Sequence, residues 1–555
     1  MKMNLKLKLF YYMLILEFTQ RIYSHHECGF EKHKMKDFHK FEENEHSLRF
    51  LQDQPYEQIR ISIDYTTLQN QKSVTEELFK NIQNILETAI TVHESLIKVK
   101  RLNQLLVVTD CHPSITISTD ISTTGISADL VIFPFFDEGI AGTATQAYAS
   151  TCVINSRNSR PIAGLIAFTP SLNYNKTNWF EYYTTIAIHE LTHVLGFNTD
   201  VFDTFIDENQ QPVPLNKTLQ ETVINGVNRK IIVSPKALDA ARRHFNCSDL
   251  IGIELENQGG IGTIGSHWES RIMLSDYMIG FTYDETTLSE ITLAFLEDTG
   301  WYQTNYYTGG LFRYGKNAGC SVIMNKCITD GFVLHPNEFC NVSNAPVCSA
   351  GKLSKGFCYI ANYPQAIDHN YQYFPQSTEG GIIFPDYCPV SNSPTISNYF
   401  HYWNCANGLS TEYSANLGEE ISPESACFMS SLISKGSDSS STPKQPICYK
   451  YDCNFEAFKY NVTIGNNIFQ CPGHAALLEV EDYDGTFSCP AFDEICTSQT
   501  RCTSLIDCVL KKALPASNIN ITYIPDSTDI TPTTTTDAKT GLLFMPILFM
   551  LVLIL

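Results

Sequence analysis

Apolar and polar residues alternate through IRISIDY, from Ile59 to Tyr65, the period of a half-buried strand. Leu78, Ile82, Leu86, Ala89 and Leu96 then recur near one face of a helix, behind a capping box expected at Ser73 to Glu76. Leu105 to Val108, Ala128 to Phe136 and Gly164 to Thr169 read as further strands. A helix is expected from about Asn178 to Leu195, with Ile188, Leu191 and Leu195 at helical spacing and Gly196 placed to end it. Strands and a helix preceding this element fit an α+β or α/β half-domain. Beyond it come loops and one apolar helical run, LSEITLAFLEDTGWY. From Cys320 to Cys508 periodicity weakens and cysteines crowd together, as in a disulfide-held domain without a large core of its own. Residues 436–447 read as a surface loop.

The ends of the chain follow neither period. Lys2, Lys6 and Lys8, the apolar run Leu9 to Leu16 and a polar stretch ending at Ser24 have the order of a cleaved secretory signal. At the other end fifteen apolar residues, 541–555, follow a Thr-rich spacer and small residues around Ser527, Thr528 and Asp529. A spanning helix wants about 20 apolar residues. The arrangement is that of a glycolipid (GPI) attachment signal, an uncleaved tail anchor being the alternative. Nineteen cysteines in 555 residues suit an oxidising compartment. Glycosylation sequons at Asn175, Asn216, Asn246, Asn341, Asn461 and Asn520 point the same way. The expected location is the secretory pathway and the extracellular face of the plasma membrane. With 59 acidic against 38 basic residues the formal charge is −21, which argues against nucleic-acid binding driven by counterion release.

The candidate chemistry is in HELTHVLGFNT, residues 189–199. Side chains four apart on a helix lie one turn apart on one face, so His189 and His193 can present imidazoles to one ion. Glu190 then sits beside the ion, placed to take a proton from a water. The short zincin signature would put a third His at position 199, but that residue is Thr199. His244, His267 and His335 are the candidates. The stretch GSHWESRIMLSDYMIG, Gly265 to Gly280, favours His267, because Met278 before a glycine matches the Met-turn of the long zincin signature. Met273, the competing methionine, is followed by Leu274 rather than a turn signal. The reading is one zinc ion per chain on His189, His193 and His267.

TTIAIHELTHVLGFN, GSHWESRIM with YMIG, LSEITLAFLEDTGWY, ADLVIFPFF and ASTC together resemble the leishmanolysins, surface zinc endopeptidases related to the metzincins. The resemblance is strong over residues 55–310 and continues through the cysteine-rich region by cysteine pattern. It implies a long insertion between the second and third zinc histidines, which removes the objection raised by Thr199. The same three histidines match the family's zinc ligands, Glu190 its catalytic base, Gly196 its turn and Met278 its Met-turn residue. The implied substrates are proteins or peptides. Tyr277 is a possible further oxyanion donor, with packing as its other role. The strand GLIAFT is a possible edge for an extended substrate.

His26-Glu27-Cys28 resembles the family's pro-region switch, in which a thiolate occupies the water site on zinc until the segment is removed. Without Cys28, three cysteines lie in the catalytic region and fifteen beyond it, both odd, so full pairing needs a bridge between the regions. Following the family's pattern, Cys111 pairs with Cys152 and Cys247 with Cys320. The expected architecture is an α+β, metzincin-like catalytic domain, a mixed sheet plus an active-site helix, with a disulfide-rich, mostly β and loop carboxy-terminal domain. Its expected parts are a signal peptide (1–24), a pro-segment (25–50), an amino-terminal catalytic subdomain (51–200), a central subdomain (201–310), a cysteine-rich domain (311–525) and an anchor signal (526–555). The competing function is a surface adhesion or coat glycoprotein that keeps the peptidase fold.

Overall fold

A computed structural model describes residues 38–43, 54–140, 145–170, 172–260, 262–283, 285–305, 312–392, 403–406, 408, 416–437, 442–496 and 506. The signal peptide, Cys28, Cys502, Cys508, Asn520 and the anchor signal lie outside these residues.

The amino-terminal half is organised by β1 (His39–Phe41), β2 (Ile61–Ile63), β3 (Leu130–Phe136), β4 (Ala147–Asn155) and β5 (Pro161–Phe168). They form one sheet in the order β1-β4-β5-β3-β2. Only the β4–β5 pairing is antiparallel. β3 is apolar at every position because both of its faces are covered. Leu130 and Ile132 join the core under α1 (Glu76–Leu96) and α2 (Trp179–Leu195). Val131, Phe133 and Phe135 join a second core with Leu106, Val108, Cys111 and Ile121. The run at Leu105 to Val108 is therefore a cover for the sheet, touching Ile126 through a single bridge at Leu106, and not the expected strand.

α1 starts later than the expected box: the Thr75 side chain accepts from the Leu78 amide, with Glu76 and Glu77 in the first turn. GLIAFT lies in β5, hydrogen-bonded to β3 on one side and β4 on the other. It has no open edge, which corrects the expectation that a substrate pairs there. The outer neighbour is β4, and β1 pairs with it in parallel at Val153 to Asn155. Phe41 is buried against that part of the sheet, and the carboxylates of Glu42 and Glu43 reach Ser156 and Asn155.

Gly164 of β5 faces α2. A Cβ there would sit 2.4 Å from Val194 Cγ1 and 2.8 Å from the Ser150 carbonyl oxygen, so only glycine lets the helix approach this closely. Gly164→Ala is expected to lower stability by about 1–3 kcal/mol through overpacking, measured by denaturant unfolding with disulfides intact. An unchanged midpoint would show that α2 has slack against the sheet.

After α2 the chain forms a hairpin, β6 (Leu219–Ile224) and β7 (Val227–Ile232), whose Asn225-Gly226 turn has both residues at positive φ. α3 (Pro235–Phe245), β8 (Ile253–Glu254), α4 (Ser270–Met273) and α5 (Glu290–Asp298) follow. Asp298 at the end of α5 accepts from the first amides of α3, Lys236 at 3.0 Å and Ala237 at 2.9 Å.

The carboxy-terminal region is more ordered than its weak periodicity suggests. β9 (Ser425–Ser430), β10 (Gln445–Asn454), β11 (Lys459–Ile464), β12 (Asn467–Cys471), β13 (Ala476–Leu478) and β14 (Phe487–Cys489) form a sheet in the order β12-β11-β10-β9-β14-β13. Phe428, Tyr449, Tyr460, Val462 and Phe487 give it a core of its own, smaller than that of the amino-terminal half. The end of the expected loop, Gln445 to Ile447, belongs to β10. Eight disulfides are present among the described residues, including Cys111–Cys152 and Cys247–Cys320. Cys247–Cys320 ties the end of α3 to the cysteine-rich region. The molecule thus mixes helices and sheets as an α+β fold. Among the described residues no helix is long and apolar enough to cross a membrane.

Candidate metal centre

α2 is buried from Ile186 to Leu195, so the two histidines it carries are 0–5% exposed. Gly196, at φ 130°, ends the helix where a Cβ would meet the Trp301 ring at 3.0 Å. The turn puts the Phe197 carbonyl 2.7 Å from His193 Nδ1. His189 Nδ1 lies 2.6 Å from the Tyr277 carbonyl oxygen, and His267 Nδ1 lies 2.9 Å from that of Thr263. A carbonyl can only accept, so each Nδ1 carries the proton and each Nε2 keeps its lone pair.

The three Nε2 atoms converge, at 3.1 Å for His189–His193, 3.2 Å for His189–His267 and 3.3 Å for His193–His267. Three acceptors cannot satisfy one another. Their separations match the edge of a tetrahedron with ~2.0–2.1 Å zinc–nitrogen bonds, which is about 3.3–3.4 Å. The donor set fits zinc.

His267 is carried in by the segment before α4. The Glu256 amide donates to the His267 carbonyl at 2.9 Å, and the Trp268 amide donates to the Met278 carbonyl at 3.0 Å. Trp268 packs edge-on against Phe197 and Phe295. Met278 is fully buried in a turn held by Asp276, whose carboxylate accepts from the Met278 amide at 2.7 Å and from the Thr292 hydroxyl at 2.8 Å. Burial pushes the Asp276 carboxyl up to about 6. Tyr277, 4% exposed, turns its hydroxyl to Thr192 Oγ1 at 3.0 Å, so it packs beneath the site.

The other two candidate histidines lie elsewhere. His244 Nε2 lies 2.8 Å from the Tyr314 carbonyl oxygen, and burial pushes its pKa down to about 3. His335 meets Ser321 Oγ at 2.9 Å. Thr199 begins a short 3-10 turn. Glu190, between the two helical histidines, is fully buried. Asn175, Asn216, Asn246 and Asn341 are exposed, and Asn461 is half-buried on β11.

A second group of acids, Glu254, Glu269 and Asp386, also converges. Arg229 and Arg271 lie among these carboxylates, so protein cations already meet their charge and the group is an ion-pair cluster. Sequence reading missed it, as well as His93, whose Nε2 meets Thr192 Oγ1 at 3.0 Å beneath α2. His93 sits on the buried stripe of α1, where helical periodicity alone reads it as a core residue.

A family model described as leishmanolysin matches residues 67–502. The chain is 26% identical over 477 residues to a leishmanolysin homolog of Crithidia fasciculata, covering 79% of this chain and 66% of that protein. It is 28% identical over 422 residues to a leishmanolysin-like peptidase of Drosophila melanogaster, covering 64% of this chain and 61% of that one. To leishmanolysin of Leishmania donovani it is 28% identical over 361 residues, covering 63% and 58%. The matched part of the chain thus corresponds to 58–66% of the length of these relatives.

Proposed function

This chain belongs to the leishmanolysin family, and on that premise we propose that it is a zinc-dependent endopeptidase of the cell surface or secretory pathway, acting on proteins or peptides. The observation that carries this reading is the meeting of three Nε2 atoms, each with its Nδ1 proton committed to a backbone carbonyl. His189, His193 and His267 hold the ion, one per chain. When bound, zinc supplies Lewis acidity, polarising the scissile carbonyl and lowering the pKa of a water towards ~7.

The remaining steps belong to the protein. Glu190 follows His189 on α2, and its carboxylate takes the proton of the attacking water and returns it to the leaving amine. Met278 packs as an apolar, polarisable floor and does not ligate. An extended substrate pairs with the outer edge of β4. Support for this comes from β1, which already lies on that edge at Val153 to Asn155. β1 falls in the proposed pro-segment, so removing residues 25–50 would uncover the strand as well as withdraw Cys28 from the ion. The eight disulfides suit an extracellular protein. The lipid anchor and the glycans are read from the sequence.

Treating the processed protein with a zinc chelator is expected to abolish cleavage of a generic protein substrate, with added zinc restoring it. A rate indifferent to chelation would remove the metal from the reaction and favour the adhesion or coat glycoprotein.

A further inference from the structure

We infer that Thr192 and His93 are positioning residues for the metal centre, acting through Tyr277 on the ring of His189. The four residues come from three distant stretches and meet in a dry interior, at 0–5% exposure. His93 of α1 has Nδ1 2.9 Å from the Ala89 carbonyl oxygen and Nε2 3.0 Å from Thr192 Oγ1. Thr192 Oγ1 is in turn 3.0 Å from the Tyr277 hydroxyl. The Tyr277 carbonyl, on the same residue, takes the Nδ1 proton of His189 at 2.6 Å.

Counting protons gives the chain a direction. The Ala89 carbonyl can only accept, so the proton of a neutral His93 is on Nδ1 and Nε2 is an acceptor. Burial keeps this imidazole neutral, with its pKa pushed down to about 4. The Thr192 hydroxyl therefore donates to His93, and the Tyr277 hydroxyl donates to Thr192. Were the Thr192 proton sent to the Ile188 carbonyl at 2.9 Å instead, His93 Nε2 would be a buried acceptor with nothing to accept. Thr192 is thus the link that holds the Tyr277 phenol at one end of the residue while its carbonyl orients a zinc-binding ring at the other. α1, which carries no ligand, is coupled to the site by this link.

The inference rests on the zinc reading, and its test separates the two. Thr192→Val keeps the shape and removes the hydroxyl, Thr192→Ser keeps the hydroxyl, and Tyr277→Phe keeps the ring. Zinc affinity is measured by competition with a chromophoric chelator. Outer partners of ligating histidines are worth roughly 10–100-fold in affinity, and about 10-fold weaker binding is expected for Thr192→Val and for Tyr277→Phe. Thr192→Ser is expected to stay within about twofold of the parent. The Val/Phe double variant is expected to be no weaker than either single, since both cut one chain. Parental affinity in Tyr277→Phe, or single losses that multiply in the double, would overturn the inference even if Thr192→Val fails to fold. If the parent protein itself takes up no zinc, the proposed function falls first.

Discussion

Glu190→Gln is expected to lower kcat/KM for a peptide substrate by about 10²–10⁴-fold while zinc remains bound at one ion per chain. The substitution preserves size and removes the basicity. Glu190 is fully buried next to His189 on α2, so its carboxylate is withdrawn from bulk solvent. The three imidazoles and their carbonyl partners are untouched by the change. Metal content by elemental analysis and turnover of a fluorogenic peptide, measured on the same preparation, check both halves. Full turnover with zinc bound would show that another group moves the proton.

The second large effect is expected far from the proposed chemistry, in the ion-pair cluster. Arg229 of β7 bridges Glu254 of β8, Glu269 at the cap of α4 and Asp386 of the cysteine-rich region, at 3.2 Å, 3.1 Å and 2.5 Å. Arg271 of α4 reaches Glu254 at 2.6 Å and donates to the Ile323 carbonyl at 2.7 Å. All five side chains are 0–3% exposed. Burial, then the charge of Asp386, pushes Glu256 up to about 8 and raises Glu269 as well.

Arg229→Met leaves the carboxylates around it without one of their two cations, and such a break typically costs about 3–5 kcal/mol. We expect a loss of that size in denaturant unfolding, with Arg229→Lys intermediate because it keeps the charge and loses the fork. A loss below about 1 kcal/mol would mean that proton uptake by the acids compensates for the missing guanidinium. The cluster also braces the third histidine. The Glu256 amide holds the His267 carbonyl, and the Glu269 amide donates to the Glu254 carbonyl at 3.0 Å. The cysteine-rich region, through Asp386, therefore helps to shape the segment that carries His267.

The legible parts of this molecule were those whose partners are near in sequence. His189 and His193 share a face because one helical turn puts them there, and Gly196 ends the helix because its φ of 130° suits glycine. β3 announces itself by being apolar throughout. The capping box failed by two residues because Ser73 and Thr75 carry the same capping hydroxyl, and the helix uses Thr75. The strand expected at Leu105 failed because an apolar run can cover a sheet as readily as join one. GLIAFT was a strand as expected, but no property of its own residues says whether a strand lies at an edge or inside.

By itself, then, the sequence determined the helix with its paired histidines and intervening carboxylate, the apolar strands, and the cysteine content that the disulfides draw on. Each follows from a period, a cap or a side-chain chemistry acting over a few residues. The sequence also favoured His267 over His244 and His335, through Met278 and the glycine after its turn, and the tertiary structure brought its ring to the pair on α2. It also sealed β5 inside the sheet, laid β1 on β4, and joined His93 to Thr192 and Arg229 to Asp386. These contacts span long stretches of chain, and they form because burying whole faces of helices and sheets forces particular polar groups together. No local pattern carries that information.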